Sequence, residues 1–167
     1  MNIRKQLEIL ANDALKYGVS IEIMEQAVNP VLKFFASQHK RTDYFVLHTS
    51  DRHWIITTLN NRKQPQITKR VVYGFVSHQE AHDFKDTIVP SNVNTPINIV
   101  SLPITYLFFE MFAARQVDSI ILMDTPNNKT QGIEIKREDI ENMIQKQLQQ
   151  IKPNLSSRFQ NTPPNLA

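Results

Sequence analysis

The stretch VVYGFVSHQEAHDF at residues 71–84 decides how the rest of the chain is interpreted. Its first half is rich in β-branched and aromatic residues, which is typical of a strand. Its second half opens with a capping box, because Ser77 can accept a hydrogen bond from the amide of Glu80 while the Glu80 carboxylate reaches back. The stretch therefore predicts a strand that runs directly into a helix.

The same alternation continues through the next part of the chain. INIVSLPITYLFFEMFAAR at residues 97–115 predicts a strand and then a helix that is apolar on most sides. Such a helix is either buried or forms a subunit interface. Residues 119–123 and 132–135 predict two neighbouring strands. Residues 137–151 predict an amphipathic helix, which we expect Pro153 to end.

Two helical segments and two strands precede this block. Residues 3–14 place apolar side chains on one helical face, and Gly18 is positioned to end that helix. A second helix is predicted from Ser20. It is interrupted at Asn29-Pro30, where Asn29 as an N-cap favours two short helices with a bend.

Together the elements predict an α+β domain with a mixed, mainly antiparallel sheet of about six strands, packed by helices and joined to an N-terminal helical pair. Within it, residues 44–48 and 54–59 predict a β-hairpin with its turn at 49–52. Composition divides the chain into three parts: a helical segment at 1–38 packed on the domain, the α+β domain at 39–152, and a disordered tail at 153–167.

Composition excludes several classes of chemistry. The chain has no cysteine, which excludes disulfides and thiolate nucleophiles and is typical of a reducing compartment. Its three glycines are isolated, so it lacks the clustered glycines of phosphate-binding loops. The polar N-terminus does not resemble a secretory signal. We therefore expect a cytoplasmic protein without membrane insertion, without a cofactor and without enzymatic activity.

Positive charge is concentrated in residues 33–70. This segment holds eight basic and two acidic residues, a net charge of +6, although the whole chain carries +3. Cations beside aromatic side chains on a sheet suit single-stranded nucleic acid. A solvated basic edge that discourages strand pairing explains the same charges. A nucleic-acid interface would use Lys40, Arg41, Arg52, Trp54, Arg62, Lys63, Lys69 and Arg70.

A pair of histidines is the candidate metal site. His78 and His82 are four residues apart, so on a helix they share a face, as zinc-binding histidines do. Glu80 lies midway between them, which matches neither order of the metalloprotease motif. His48 or His53 would have to supply further ligands. A capped surface helix that carries two histidines explains the pattern equally.

Acidic residues have two interpretations each. Glu110 interrupts the apolar helix, either as a buried functional acid with a raised pKa or as a residue on a wet edge that pairs locally, for example with Arg115. A late cluster could serve glycoside hydrolysis or metal binding, although the dipole at a helix start explains most of it. The cluster comprises Glu134, Glu138, Asp139 and Glu141.

Part of the chain resembles the SseB-type domain. YGFVS at residues 73–77 followed by EAHDF at 80–84 is similar to the strand, turn and Glu-Ala helix of that family. Residues 118–126, followed by 132–135 and a closing helix, are similar to its final strands. This chain has Asp-Thr-Pro at 124–126, where the family usually has Asn-Pro-Gly. The resemblance covers residues 71–151, implies a non-enzymatic α+β module for protein interaction, and transfers no catalytic residue.

The leading interpretation is a non-catalytic module that binds another protein, with a homodimer as one form of that interaction. The N-terminal helices and the apolar helix at 104–115 are the expected contact elements. Nucleic-acid binding through the basic segment is the alternative, and a metal-dependent enzyme is the third possibility.

Overall fold

The computed structural model describes residues 1–88, 96–124 and 132–160, the stretch 152–160 by its backbone alone. In these parts the helices are α1 (Ile3–Asp13), α2 (Ile21–Ile23), α3 (Asn29–Ala36), α4 (His78–Ile88), α5 (Ile104–Ala114) and α6 (Arg137–Gln160). The strands are β1 (Asp43–Thr49), β2 (Thr57–Asn60), β3 (Thr68–Phe75), β4 (Ile97–Pro103), β5 (Ser119–Met123) and β6 (Ile133–Lys136).

The six strands form one mixed sheet. Its order is β4-β1-β3-β5-β6, and β2 pairs with β3 as well. β3 and β5 run parallel, whereas the other pairs are antiparallel. A parallel pair requires a long crossover connection, and here α4, β4 and α5 lie between the two strands in the chain. The sequence-based prediction of an α+β fold with a mixed, mainly antiparallel sheet is confirmed.

The predicted hairpin between residues 44–48 and 54–59 is present next to its turn, where the Thr49 amide donates to the His53 carbonyl oxygen at 2.8 Å and the Ile55 amide to that of Leu47 at 2.9 Å. It does not continue to residue 59. β1 and β3 meet where Phe45 lies opposite Phe75. Next along the same edge of β1, His48 forms an isolated bridge with Trp54. Beyond that point β2 pairs with β3, with Thr57 opposite Val71. The chain therefore pairs first with the end of β1 and then, from Thr57 to Asn60, with β3, because β3 continues past the end of β1 and offers β2 a partner there.

Both faces of the sheet are apolar and both carry helices. Along β1, Tyr44 and Val46 contribute to the main core, whereas Leu47 belongs to a second cluster, with Phe45 packed against it. This is the period of two that a strand imposes. The main core also takes in side chains from α1, α3, α5 and α6. On the opposite face α4 covers the sheet through the fully buried Ala81.

α5 is the most deeply buried helix of the described chain. It contacts β4 and β5 of the sheet and the helices α1, α3 and α6. Full burial of a large apolar side chain contributes about 1.5–3 kcal/mol, so this helix dominates the core. The prediction that it is buried is confirmed. Its buried residues are Ile104, Thr105, Leu107, Phe108, Phe109 and Met111.

No helix in the described parts of the chain combines the length and the apolar character that crossing a membrane requires.

The N-terminal helical pair is present, but its bend differs from the prediction. Gly18 ends the first helix in the left-handed conformation at φ +77°, and the Ser20 side chain caps the second. Asn29 is not an N-cap, since its backbone is helical. A π-helical turn over Met24–Val28 leads into α3, and such a turn keeps the chain helical up to Pro30, which lacks an amide donor.

α6 also departs from the prediction. The helix continues through Pro153 to Gln160, because a proline inside a helix removes one hydrogen bond and bends the axis without having to end it. The rest of the predicted tail, from residue 161 onward, lies outside the described residues. So do Thr125 and Pro126, which carry part of the resemblance to the SseB-type domain.

Gln6 fastens α1 to the rest of the fold. This side chain is almost completely buried. Its amide nitrogen donates to the carbonyl oxygens of Thr42 at 2.8 Å and Met1 at 3.1 Å. Its amide oxygen accepts from the hydroxyl of Thr105 at 2.8 Å and from the amide of that residue at 3.3 Å. One side chain thus joins the first helix to the start of β1 and the start of α5.

Replacing Gln6 by alanine should destabilise the fold by about 3 kcal/mol, since buried partners that lose a hydrogen bond cost about 1–3 kcal/mol each. Urea unfolding followed by circular dichroism measures the change. The control is Gln145→Ala on the exposed side of α6, which should leave stability within about 0.5 kcal/mol. Equal stability of the two variants would show that the buried amide is not an anchor.

Candidate functional site

Two cavities lie along the exposed edge of α5. The smaller has a volume of about 60 Å³ and lies between this helix and the segment that leads into β2. We call it the Glu110 pocket. Tyr106, Glu110 and Ala114 reach it from α5, because residues four apart share one helical face. The remaining lining includes Arg52, His53, Trp54 and Gln116.

Glu110 is the unusual group in this pocket. Its Oε2 atom is buried and has no hydrogen-bond partner. Burial raises the pKa of this carboxyl above its ordinary value, because a low dielectric disfavours the charged form. Of the two interpretations from the sequence, local pairing with Arg115 does not occur, since that guanidinium lies 3.9 Å from Glu141. Glu110 is a half-buried acid with one buried carboxylate oxygen.

Tyr106 shares this environment. Burial, the nearby charge of Glu110 and a hydrogen bond to Tyr17 raise its pKa to about 12. The hydroxyl therefore stays protonated at neutral pH and remains a hydrogen-bond donor. Tyr17 is itself held by an edge-to-face contact with Phe109, whose ring centre is 5.2 Å away. Tyr17 thus packs against α5 beside Tyr106.

The larger cavity, which we call the apolar groove, has a volume of about 290 Å³ and lies between α1 and the junction of β4 with α5. Several of its wall residues stay exposed, among them Met1 at 59%, Ile9 at 39% and Tyr17 at 44%. Tyr106 lines both cavities. The groove and the Glu110 pocket are therefore adjacent parts of one surface. The other groove residues include Leu10, Asp13, Leu102 and Pro103.

A largely buried polar cluster joins two distant parts of the chain. Asp124 accepts a hydrogen bond from the Tyr44 hydroxyl, and its second oxygen lies 2.7 Å from Nδ1 of His39. Burial and then the hydrogen bond to Asp124 raise the pKa of Tyr44 above its usual range. A histidine held by an aspartate also occurs in hydrolytic sites. Here the His39 side chain is 4% exposed, so it does not face a substrate.

This cluster was not found from the sequence. Its residues are separated by 80 and 85 positions, and each alone is an ordinary polar residue beside an apolar run. Only the placement of β5 brings Asp124 to the linker between α3 and β1. The cluster fastens that linker to the sheet.

Two of the predicted nucleic-acid-binding residues form ion pairs. Lys69 lies 2.6 Å from Glu134, and Arg70 lies 3.4 Å from Asp118. Neighbours on a strand point to opposite faces of the sheet, so these two cations serve different surfaces. Burial raises the pKa of Glu134, but hydrogen bonds from Lys69 and Ser119 outweigh it and hold the pKa below its ordinary value.

The other basic residues do not gather into one patch. Lys40 and Arg41 precede β1, at the end of the sheet where β3 finishes, whereas Arg62 and Lys63 lie in the loop before β3 begins. Eight residues of strand separate the two groups, which is roughly 25 Å. Arg52 lies at the Glu110 pocket instead. Trp54 is half-buried and packs against the main core.

The two candidate metal-binding histidines have other contacts. The His82 ring nitrogen lies 3.4 Å from Asp86. The ring of His78 meets that of Phe45 edge-on, with centres 6.0 Å apart. Across the described ranges, no group of three or more histidine, aspartate or glutamate side chains is arranged to hold a metal. The predicted cap is present, since Glu80 donates its amide to the Ser77 hydroxyl at 3.1 Å.

The late acidic cluster takes part in interactions within the fold. Glu134 accepts hydrogen bonds from Lys69 and Ser119, and Glu141 lies 3.4 Å from Arg137. Glu138 and Asp139 occupy the first turn of α6, where the helix dipole favours negative charge.

Comparison with known protein families finds no family model that matches this chain. Comparison with curated proteins finds no match either. The resemblance to the SseB-type domain stays a prediction.

Replacing Asp124 by asparagine should destabilise the protein by about 2–3 kcal/mol, because charge-assisted hydrogen bonds contribute about 1.5–3 kcal/mol. Denaturant unfolding measures the loss. The control is Asp139→Asn, which removes an exposed carboxylate from the first turn of α6 and should change stability by less than about 1 kcal/mol. A loss no larger than that of the control would contradict an anchoring role.

Replacing Glu110 by glutamine should stabilise the protein at neutral pH. A raised pKa means that the folded state favours the neutral acid. The loss of folding stability caused by the charged form of Glu110 is therefore absent below the unfolded pKa, and it grows as pH rises from there through the folded pKa. The gain should be about 1 kcal/mol at most, because the side chain is half-exposed and solvent screens its charge. Thermal unfolding from pH 4 to pH 8 checks it.

The matched control for that measurement is Glu25→Gln, which changes an exposed carboxylate. Its unfolding temperature should follow that of the natural protein at every pH. If the Glu110→Gln curve also ran parallel to the natural one across the whole range, Glu110 would not be the half-buried acid described above.

Proposed function

We propose that this protein is a non-catalytic module that binds a segment of another protein in the apolar groove. The observation that supports this proposal is the groove itself, which gathers the exposed apolar side chains of Met1, Ile9 and Tyr17 around one cavity. Contiguous exposed apolar surface is typical of interaction sites. The N-terminal helices were expected to be contact elements, and α1 forms one wall of the groove.

The dimensions of the groove favour an apolar side chain. A cavity of about 150 Å³ is large enough to hold benzene, so a groove of about 290 Å³ accommodates a leucine, methionine or phenylalanine side chain. Its opening to solvent suits a side chain that enters from a partner. A segment that inserts such an anchor gains most of its affinity from the burial of that one residue.

The charges beside the groove also restrict which partner segments can bind. Two carboxylates, Asp13 and Glu110, lie along the groove and the adjoining pocket. Complementary potentials guide association and disfavour partners of like charge. We therefore expect the partner segment to carry a basic residue close to its apolar anchor.

Nucleic-acid binding is the weaker candidate. Lys69 and Arg70 already have acidic partners, and the remaining cations are divided between two ends of the sheet. Single-stranded nucleic acid needs a continuous basic path with aromatic rings along it, and this arrangement does not favour one.

The partner can be captured at the groove by photo-crosslinking. A photoreactive phenylalanine derivative replaces Ile9 in the groove, or Ile67 in the loop before β3 as the control, and both proteins are exposed to native lysate treated with nuclease. We expect a crosslink from position 9 to a defined segment of another protein. Position 67 is also half-exposed, so it reports non-specific contact.

Binding of the purified partner then decides the proposal. Ile9→Asp should raise the Kd at least about tenfold, which is about 1.4 kcal/mol, because an unpaired charge would be buried in the groove. Ile67→Asp should leave the Kd unchanged. Equal effects of the two variants, a crosslink that depends on nucleic acid, or a crosslink that joins two copies of this chain would each contradict the proposal.

A further inference from the structure

The Glu110 pocket has a feature that the stability of the fold does not explain. Oε2 of Glu110 is buried without a partner, an arrangement that normally lowers the stability of a fold. Arg52, at the same pocket, adopts a left-handed backbone conformation at φ +65°. This conformation belongs to the turn that brings His53 and Trp54 to the pocket, since the Arg52 amide donates to the Thr49 carbonyl oxygen at 3.0 Å. The unpaired Glu110 oxygen is therefore the feature that needs an explanation.

The chemistry of the lining favours a cation. An unpaired carboxylate forms strong charge-assisted hydrogen bonds with ammonium or guanidinium groups. Trp54 and Tyr106 are beside it, and aromatic faces attract the same groups. An anion would meet the Glu110 charge in a place that is shielded from water, which is unfavourable. The carboxylate and the two aromatic rings thus favour the same class of ligand.

The size of the pocket favours the end of a side chain over a whole metabolite. A water molecule occupies about 30 Å³ in the liquid, and the pocket measures about 60 Å³. It can therefore hold an ammonium group with its last methylene. A larger ligand would have to extend out of the pocket, and the direction open to it includes the apolar groove beyond Tyr106.

We propose that the Glu110 pocket binds the ammonium group of a lysine side chain, with Glu110 as its charge partner and Trp54 and Tyr106 as its aromatic walls. This inference rests on the proposed function, because the lysine belongs to the segment whose apolar anchor occupies the groove. Tyr106 and Glu110 are one helical turn apart, about 5–6 Å. The lysine and the anchor are therefore near neighbours in the partner.

The guanidinium group of Arg52 can compete with a bound lysine for the Glu110 carboxylate. Its side chain lines the same pocket and carries the charge that a ligand would bring. Removal of Arg52 therefore leaves lysine binding unchanged or makes it tighter. A ligand that needed Arg52 would be an anion, so this one variant distinguishes the two signs of charge.

The test uses the single tryptophan of the chain. The indole N–H of Trp54 gives one signal in a ¹H–¹⁵N spectrum. The full-length protein is titrated with Nα-acetyl-lysine amide, and separately with Nα-acetyl-norleucine amide, which has the same stem without the ammonium group. We expect a saturable shift of the indole signal with the lysine compound and no saturable shift with the norleucine compound.

Three variants complete the experiment. Glu110→Gln should weaken binding about tenfold, because the charge-assisted hydrogen bond is lost. Glu25→Gln should bind as the natural protein does, and Arg52→Ala should bind equally well or more tightly. Since Glu110→Gln is expected to be the more stable protein, loss of binding would not reflect unfolding, and its melting curve verifies this.

The proposal is overturned if the lysine compound causes no saturable shift, if the norleucine compound causes an equal one, or if Arg52→Ala abolishes binding. These outcomes are independent of the crosslinking result at position 9. A protein that captures a partner at the groove but ignores the lysine compound would keep the proposed function and lose this inference. The reverse result would leave a lysine-binding pocket without the groove interaction.

Discussion

The need to cover α5 on every side governs this fold. The helix carries large apolar side chains around most of its circumference, and the sheet can cover one side of it. The remaining sides need other helices, and these come from both ends of the described chain, α1 and α3 before the sheet and α6 after it. The N-terminal helical pair is therefore part of the core. Gln6 makes this attachment specific, since apolar contact alone does not fix the position of one helix on another.

A helix is difficult to surround completely with other helices of similar diameter. The candidate site lies along the edge of α5 that stays uncovered. Tyr106, Glu110 and Ala114 follow that edge at intervals of one turn, between α1 on one side and the segment before β2 on the other. This edge is only partly exposed to solvent. It excludes enough water to raise the pKa of Glu110 and still leaves access for a ligand. The proposed binding surface is thus a consequence of how the core is packed.

The sequence predicted those structural features that depend on residues close together in the chain. The apolar helix, the Gly18 terminus and the Ser77 cap are decided within a few residues, and the structure has each of them. The pairing of Thr57–Asn60 with β3 was missed because strand partners are chosen by competition between distant segments. The contact of Asp124 with His39 was missed for the same reason. In the candidate site, the sequence singled out Glu110, and it named Arg52 and Trp54 only as candidates for nucleic-acid binding. That these residues share one pocket depends on long-range packing.

The basic segment and Glu110 differ in how much their charges say about a binding site. Lys69 and Arg70 contribute to the strongest charge signal in the sequence, yet the fold pairs both with carboxylates and so explains why they are there. Glu110 is a single residue without a pattern around it. The fold buries one of its oxygens and supplies no partner, although nearby Gln6 has all its hydrogen-bonding groups satisfied. The oxygen is buried at the edge of a pocket that also holds Trp54 and Tyr106, so it is this location, together with the missing partner, that supports the lysine proposal.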